Sequence, residues 1–407
     1  MSERRRRWRE IALMERGSLE SRIVWACVLV LAAFMMLSTA IAQTAAIVMI
    51  FALAVDVVRR RGLGGGRSPL MLPLVILLLI RLFAVLASTN VSTSLPALWK
   101  EIPFYLVVIA VVRLWDPVRE DRLVLFLRVA FGAAAIIAVI GSFRYVLGFD
   151  HRASSITSSY YTFGMYLTAV FALALPFGNN RTIFPIRWIW VGGVIVILAG
   201  ILLSMNRIHW VVAGCLILGV GVWRERGLLA VAVVTGGVLL VLVPSLMDRF
   251  DQLLAMRENL SDRDVIWRGA VAMGSDHPFT GWGVRTFHEV FPYMNEIGDK
   301  RVGSWHNDLL QLYMESGILA VGAYVWLLTA AVAAGVRTWR RSSGSEVLRT
   351  FSLGGVMALL SFVVAGLTGV FISDPVAGVF LRVLLGMVGA LSAFDEAPAH
   401  EGHVISS

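Results

Sequence analysis

Long apolar runs separated by short, arginine-rich breaks dominate this sequence. A helix needs about 20 mainly apolar residues to cross a hydrocarbon core of roughly 30 Å. Of the 407 residues, 58% are hydrophobic and only 15% are charged, which is typical of membrane proteins and not of soluble ones. The runs predict an all-α polytopic membrane protein with about twelve transmembrane helices, at 23–40, 41–58, 69–87, 101–114, 123–147, 162–177, 187–204, 209–223, 228–246, 307–336, 350–372 and 375–393.

The arginines indicate the orientation of these spans, because they gather in alternate breaks. Those breaks contain Arg4–Arg7 and Arg9, Arg59–Arg61 and Arg67, Arg113, Arg119 and Arg122, Arg181 and Arg187, Arg224 and Arg226, and Arg337, Arg340, Arg341 and Arg349. Positive residues mark cytoplasmic loops, so the other breaks are predicted to lie outside. The net charge of +9 then reflects membrane topology, and no nucleic-acid partner is predicted.

This orientation divides the chain into five parts. They are a basic cytoplasmic N-terminus (1–22), spans one to nine (23–246), one large periplasmic loop (247–306), spans ten to twelve (307–393) and a cytoplasmic tail (394–407). The first span lacks a small-residue cleavage site and a polar mature domain after it, so it is predicted to be retained. The large loop exceeds about 12–15 residues, which is typical of functional loops. Ser261 and Asp264 resemble a capping box before a short amphipathic helix that we expect at the membrane surface.

Polar residues that could take part in binding or catalysis gather on the predicted outer face. They are His151, Arg152, Asn206, Arg207, His209, Arg263, Arg268, His277, Arg285, His288, His306, Asn307 and Asp374. Converging arginines indicate an anionic ligand, because the guanidinium fork matches phosphate oxygens. Any single arginine in the long loop is more often a solvated or headgroup-binding side chain. For Arg207 a functional role is favoured. It lies in a short polar break between two apolar spans, where a charge without a partner is costly.

His306 begins the tenth predicted span, where the partial positive charge of a helix N-terminus disfavours imidazolium. A neutral imidazole can act as a general base on a sugar hydroxyl. The alternative is a histidine that caps the helix or anchors it at the interface. Glu315, two turns further on, is an intramembrane carboxylate that pairs with an arginine or contributes to function. Arg81 and Arg382 lie inside apolar runs. Their side chains either reach toward the membrane surface, pair with another group in a structural role, or contribute to function.

Neither a metal nor a cofactor is predicted. The outer histidines lack the spacing of a zinc ligand set, and Cys27 and Cys215 lie inside apolar spans. Gly64-Gly65-Gly66 lacks the lysine and hydroxyl residue of a phosphate-binding loop. Asp262-Arg263-Asp264 matches the aspartate pair of nucleotide-sugar transferases, but it lies outside the membrane, where nucleotide sugars are not available.

Three segments of the chain resemble the O-antigen ligase and polymerase superfamily of membrane glycosyltransferases. Leu203-Ser204-Met205-Asn206-Arg207 is similar to a Ser-Arg turn of the family, with asparagine before the arginine in place of the usual serine. Ser261-Asp262-Arg263, with Trp267 and Pro278-Phe279-Thr280-Gly281-Trp282-Gly283, resembles its periplasmic helix and glycine turn. His306-Asn307-Asp308-Leu309-Leu310, with Glu315-Ser316-Gly317, is similar to its histidine-asparagine motif.

The resemblance implies a GT-C-like fold and a metal-independent, inverting glycosyltransferase of the bacterial inner membrane. Such an enzyme moves a glycan from undecaprenyl diphosphate to an acceptor at the periplasmic face, here the lipid A-core oligosaccharide in lipopolysaccharide biosynthesis. Arg207 and Arg263 would hold the diphosphate and stabilise the leaving group, while His306 would take the proton of the acceptor hydroxyl. The predicted substrate-binding residues are Arg152, Arg285, Asn307, Glu315 and Asp374, of which Asp374 would position the acceptor or the histidine.

Other functions remain open at this point. A polymerase and a protein oligosaccharyltransferase share the chemistry and differ in the acceptor. The single large loop before His306 favours the ligase by analogy, and the short C-terminus argues mildly against protein glycosylation. A twelve-helix transporter fits the helix count, but it should show related halves and polar residues near the bilayer midplane.

Overall fold

The structure is a computed structural model that describes residues 18–60, 68–116, 119–178, 180–224, 226–254, 262–298, 302–342 and 345–395. Within these ranges all the regular secondary structure is helical, and no β-strand occurs. The helices are α1 (Leu19–Phe34), α2 (Thr39–Arg59), α3 (Met71–Leu86), α4 (Val91–Leu114), α5 (Glu120–Val146), α6 (Tyr160–Ala174), α7 (Arg187–Leu203), α8 (Arg207–Trp223), α9 (Arg226–Leu242), α10 (Pro244–Leu254), α11 (Arg263–Met273), α12 (Phe287–Val290), α13 (Asp308–Arg341), α14 (Glu346–Gly366) and α15 (Ala377–Asp395). A 3₁₀ turn, Leu175–Phe177, extends α6.

A separate helix matches each of the twelve predicted apolar segments. Six of these helices, α6 with its 3₁₀ turn among them, are long and apolar enough to cross a membrane, and five further apolar helices are shorter. These features support a multi-pass membrane protein, whereas twelve crossings and their orientation stay predictions. Segment 23–58 forms two helices, because Ser38 accepts a hydrogen bond from the backbone N–H of Ile41 and starts α2.

The fourth helix is longer than its hydropathy predicts. It begins at Val91, ten residues before the predicted span at 101–114, because Asn90 accepts a hydrogen bond from the N–H of Thr93 and caps the helix. The first turns are polar and contain Pro96, so a hydropathy pattern misses them. Most of the predicted N-terminal and C-terminal parts, residues 1–17 and 396–407, lie outside the described residues.

Short helices occupy part of the long segment that precedes α13. Its three helices are α10, α11 and α12, in agreement with a loop that contains short helices. Asp262, with φ 60°, is the N-cap residue of α11 and makes no side-chain capping bond. Ser261, the predicted cap, lies outside the described residues. Phe287, Phe291 and Trp305 form a separate aromatic core with ring centroids 4.8–5.8 Å apart.

Helix α13 is interrupted at Gly317, whose φ of 77° and ψ of 180° are not helical. The loop 278–283 docks at this break and satisfies backbone groups that the helix leaves open. The N–H of Trp282 donates to the carbonyl of Met314 at 2.7 Å, and the N–H of Ile318 donates to the carbonyl of Pro278 at 2.8 Å. The glycine turn is therefore fixed to α13, and α13 packs against α3, α14 and α15.

A buried ion network joins three helices beneath this turn. The guanidinium of Arg81, 1% exposed, lies 2.7 Å from a carboxylate oxygen of Glu101 on α4 and 3.2 Å from one of Glu315 on α13. Arg81 and Glu315 therefore pair, which was one of the alternatives at the sequence level. Arg382 donates to the carbonyl of Ile372 at 2.6 Å. A buried charge without such partners would cost several kcal/mol, roughly 3–5 when one partner is removed.

Candidate active site

The 367–376 segment between α14 and α15 brings three predicted site residues together. The guanidinium of Arg263 donates to the carbonyl of Thr368 at 2.8 Å. The side-chain amide of Asn307 donates to the carbonyl of Leu367 at 3.0 Å, and the guanidinium of Arg285 donates to the carbonyl of Ser373 at 2.9 Å. Residues from α11, from the segment that follows the glycine turn and from the start of α13 thus converge on one segment.

Two carboxylates hold this segment in place. Asp374 accepts from the backbone N–H groups of Val376 and Ala377 at 2.9 and 2.7 Å, and from the hydroxyl of Thr162 on α6 at 2.8 Å. Asp308 accepts from the N–H groups of Phe371 and Ile372 at 2.8 and 3.0 Å. In this geometry Asp374 organises the backbone of the 367–376 segment and joins it to α6.

Arg263 is oriented by a tyrosine that sequence reasoning missed. Its Nη2 donates to the hydroxyl of Tyr161 at 2.8 Å, while its Nε is buried and has no hydrogen-bond partner in the part of the chain described. The rings of Tyr160 and Tyr161 lie 4.5 Å apart, and the guanidinium of Arg152 lies over the ring of Tyr160 at 4.4 Å. The one sequence signal for these tyrosines is their position at the outer end of the sixth predicted span.

His306 lies beside Arg263 with a partly buried ring. Burial, and then the positive charge of Arg263, lower the pKa of His306 to about 4, against a smaller opposing effect of Asp262. The imidazole is therefore neutral at neutral pH and able to accept a proton. The sequence predicts this neutral state from the helix N-terminus, but burial is its main cause. The next residue, Asn307, caps α13 by accepting from the N–H groups of Leu309 and Leu310.

Backbone strain is concentrated at these residues. Among the described residues, the non-glycine positions with positive φ are Met205 (55°), Asp262 (60°), Arg285 (60°) and His306 (50°). Each is a predicted site residue or lies within two residues of Arg207 or Arg263. Such conformations cost about 1–3 kcal/mol and cluster at functional sites. Three of these four residues, Met205, Asp262 and His306, lie within the three resembling segments.

Arg207 is the first residue of α8 and is partly buried. Two residues further on, His209 is fully buried against Gly164 of α6, and its ring centroid lies 6.2 Å from that of Phe371. The start of α8 therefore lies at the same end of the helices as the 367–376 segment. His209, predicted for the outer surface, is instead a buried residue of α8, because the small Gly164 leaves room for its ring.

Glu315 is almost fully buried and supports Arg285. One of its carboxylate oxygens accepts from the backbone N–H of Arg285 at 2.9 Å and from the side-chain amide of Gln311 at 2.5 Å, and the other faces Arg81. Its geometry favours a positioning role over the predicted direct contact with substrate. The side chain of Arg285 is 40% exposed, and its Nε lies 3.8 Å from a carboxylate oxygen of Glu101.

Three other outer candidates have structural roles. Arg268 pairs with Glu296 and lies over the ring of Tyr293 at 4.9 Å. The ring centroids of His277 and Trp282 are 4.4 Å apart, and His288 packs against Gly303. The described residues include no group of three or more histidine, cysteine, aspartate or glutamate side chains that could hold a metal ion.

The fold and this site define a multi-pass, all-helical membrane protein with arginines and a neutral histidine at one end of its helices. Comparison with known families specifies the class further. The family model described as O-antigen ligase matches residues 192–325, about a third of the chain. All three resembling segments lie within this match, which confirms the resemblance and supports membership of the O-antigen ligase family. No curated protein gave a significant sequence match.

Proposed function

We propose that this protein is an O-antigen ligase, which transfers a glycan from undecaprenyl diphosphate to the lipid A-core oligosaccharide. The observation behind this proposal is the neutral His306 beside Arg263, both inside the segment that matches the family. A base adjacent to a cation suits a reaction in which a hydroxyl loses a proton while a diphosphate leaves.

In the proposed reaction the acceptor hydroxyl attacks the anomeric carbon of the donor glycan. The new carbon–oxygen bond forms as the bond to the diphosphate oxygen breaks, with inversion at the anomeric carbon. The hydroxyl proton passes to the imidazole of His306. Arg263 and Arg207 stabilise the negative charge that develops on the diphosphate, so the reaction requires neither a metal nor a cofactor.

The remaining predicted residues shape the site in this proposal. Arg152, which lies over the ring of Tyr160, and Arg285, which donates to the carbonyl of Ser373, add positive charge to the site. Asn307 fixes His306 at the start of α13, and Asp374 holds the 367–376 segment, each through the hydrogen bonds given above. Glu315 positions Arg285. The site opens on the periplasmic side of the inner membrane, the side that the distribution of arginines predicts.

The alternative functions differ from the proposed one in the acceptor or in where the polar residues lie. A polymerase would transfer the glycan to a second lipid-linked glycan, and a protein oligosaccharyltransferase to a protein, with the same base and arginines. A transporter would concentrate polar residues near the bilayer midplane. Here Arg263, Arg285 and His306 gather at one end of the helices, which favours an enzyme.

The test is glycan transfer by the purified protein in detergent, from a polyprenyl-diphosphate glycan to lipid A-core, in the presence of EDTA. We expect transfer by the wild type, loss of transfer in His306→Ala, and wild-type rates in the matched control His151→Ala, whose side chain is exposed. Joining of donor glycans to one another would replace the ligase by a polymerase. Absence of any donor turnover by folded wild-type protein would reject the glycosyltransferase.

A further inference from the structure

Four charged residues form a closed ring beneath the glycine turn. Nη2 of Arg81 lies 2.7 Å from Oε2 of Glu101 and 3.2 Å from Oε2 of Glu315. The other oxygen of Glu315 accepts the backbone N–H of Arg285 at 2.9 Å. The other oxygen of Glu101 lies 3.8 Å from Nε of Arg285. One carboxylate therefore holds the backbone of Arg285, a second faces its guanidinium, and Arg81 joins the two.

The charges of this ring balance only when Arg285 is included. Arg81, Glu101 and Glu315 are 1%, 4% and 1% exposed. Two carboxylates beside one buried guanidinium leave one negative charge, and a buried charge without a partner is strongly destabilising. Oε1 of Glu101 is buried and accepts no hydrogen bond from the described residues, so its ion pair with Arg285 compensates it.

The same guanidinium also belongs to the candidate active site. Its Nη2 donates to the carbonyl of Ser373 at 2.9 Å, in the 367–376 segment that also accepts from Arg263 and Asn307. Arg285 has a φ of 60°, a conformation that a residue with a side chain keeps only where its surroundings hold it. The ring and the 367–376 segment together supply that restraint.

We infer that Glu101 and Arg81 are positioning residues for Arg285, and that they hold its guanidinium ready to receive the diphosphate of the donor. Both are almost fully buried, so they act through Arg285 and do not touch the substrate. The inference rests on the proposed function, which gives Arg285 its anionic ligand. A side chain that is already ordered loses less conformational entropy when the ligand binds, and affinity rises accordingly.

Glu101→Gln tests this inference, because the amide keeps the shape of the side chain and removes its charge. We expect the KM for the donor to rise about 10-fold, which corresponds to roughly 1.4 kcal/mol. The kcat and the KM for the acceptor stay unchanged. If Glu101→Gln alone does not fold, Glu101→Asp, which keeps the charge but shortens the reach to Arg285, takes its place in each comparison.

Asp56→Asn is the matched control for the loss of a buried carboxylate. Asp56 is 2% exposed and pairs with Arg60 and Arg113. Arg113 follows Glu101 by 12 residues on α4, which places it about 18 Å further along the helix. We expect Asp56→Asn to lower the melting temperature and to keep the wild-type KM for the donor.

A double variant shows whether the effect passes through Arg285. Arg285→Ala should raise the donor KM at least as much as Glu101→Gln, and the combination should raise it no further. The combination should also have a higher melting temperature than Arg285→Ala alone, because it removes the excess negative charge. Arg81→Met should match Glu101→Gln, whereas Arg81→Lys keeps the charge and should have a donor KM closer to that of the wild type.

Chemical labelling separates this inference from the proposed function, because it requires no turnover. Phenylglyoxal modifies the uncharged guanidine, and a carboxylate beside the group favours its charged form. We expect mass spectrometry to show several-fold faster labelling of Arg285 in Glu101→Gln than in the wild type or Asp56→Asn. Arg268, which pairs with Glu296, is the internal control and should react at the same rate in all three proteins. Faster labelling of Arg285 without glycan transfer by the wild type would support the positioning while the proposed function fails.

Three outcomes overturn the inference. The first is equal labelling of Arg285 in the wild type and Glu101→Gln. The second is a rise of the donor KM in Asp56→Asn as large as that in Glu101→Gln. The third is a donor KM in the double variant that multiplies the effects of Glu101→Gln and Arg285→Ala. The ring would then serve only the packing of α3, α4 and α13.

Discussion

His306 combines a left-handed backbone, a partly buried ring and a neighbouring guanidinium. Each of the last two features disfavours the charged imidazolium, because burial removes water and Arg263 repels a second positive charge. In the proposed function, the protein therefore keeps a base available where the anionic donor needs a positive environment. Tyr161 and Thr368 fix the position of the Arg263 guanidinium, and therefore its separation from the imidazole of His306.

The proposed role of His306 as a base predicts an unusual acid limit. Because its pKa is lowered to about 4, the imidazole stays neutral as the pH falls from 7 to 5 and becomes protonated only near pH 4. We expect kcat/KM to be nearly constant over that range and to reach half its plateau near pH 4. The pH profile of glycan transfer measures this limit, with circular dichroism at each pH as the control for unfolding. An acid limit near 6.5, the ordinary histidine value, would contradict the lowered pKa.

At the sequence level, single residues become site candidates where the side chain itself is charged or titratable. Arg207, Arg263 and His306 could be selected because charged or titratable groups next to apolar spans are rare. Tyr161 and Thr368 could not, because they lie 102 and 105 residues from Arg263 in sequence and Thr368 acts through its backbone carbonyl. Hydrogen bonds to backbone groups leave no mark in a sequence.

At the scale of elements, the break in α13 is the feature that builds the site. Segment 307–336 reads as one continuous apolar run, so sequence reasoning predicted an uninterrupted span. The break at Gly317 is stable because the loop 278–283 supplies hydrogen bonds that the helix lacks. Gly317 belongs to the third resembling segment, Glu315-Ser316-Gly317, but only the structure shows that the 278–283 loop docks there.

Gly317→Ala should destabilise the protein strongly. The backbone at Gly317, with φ 77° and ψ 180°, lies in a region that is essentially restricted to glycine and costs a residue with a side chain about 1–3 kcal/mol, and an added Cβ would overlap the backbone of Phe279. Gly322→Ala in the same helix is the control, because no atom lies within 4 Å of the added Cβ. Thermal unfolding of the purified proteins measures the effect. A melting temperature of Gly317→Ala equal to that of Gly322→Ala would show that the break is not required.

At the scale of the whole molecule, hydropathy predicted the helices well because long apolar runs have few alternatives in a bilayer. It could not predict which helices are neighbours. The contact of α13 with α3, and the burial of Arg81 between Glu101 and Glu315, depend on packing that the one-dimensional pattern does not contain.

The orientation predicted from the arginines can be tested at the two ends of α6. Thr157 precedes this helix and Thr182 follows it, and both side chains are exposed. With Cys27 and Cys215 replaced by serine, we expect a membrane-impermeant thiol reagent to label Thr157→Cys in intact cells. Thr182→Cys should be labelled only after the inner membrane is permeabilised. The reverse pattern would place the site on the cytoplasmic side and remove the basis for a periplasmic transferase.

The docking of the 278–283 loop on α13 also has a consequence for biosynthesis. The loop is translated before the carbonyl of Met314 that accepts its hydrogen bond, and before the 367–376 segment that receives Arg263. A nascent chain that ends before α13 therefore holds Arg207 and Arg263 without the Thr368 carbonyl that accepts a hydrogen bond from Arg263. The hydrogen bonds of the 278–283 loop to α13 and of Arg263 to Thr368 can therefore form only after α13 and the 367–376 segment have been translated.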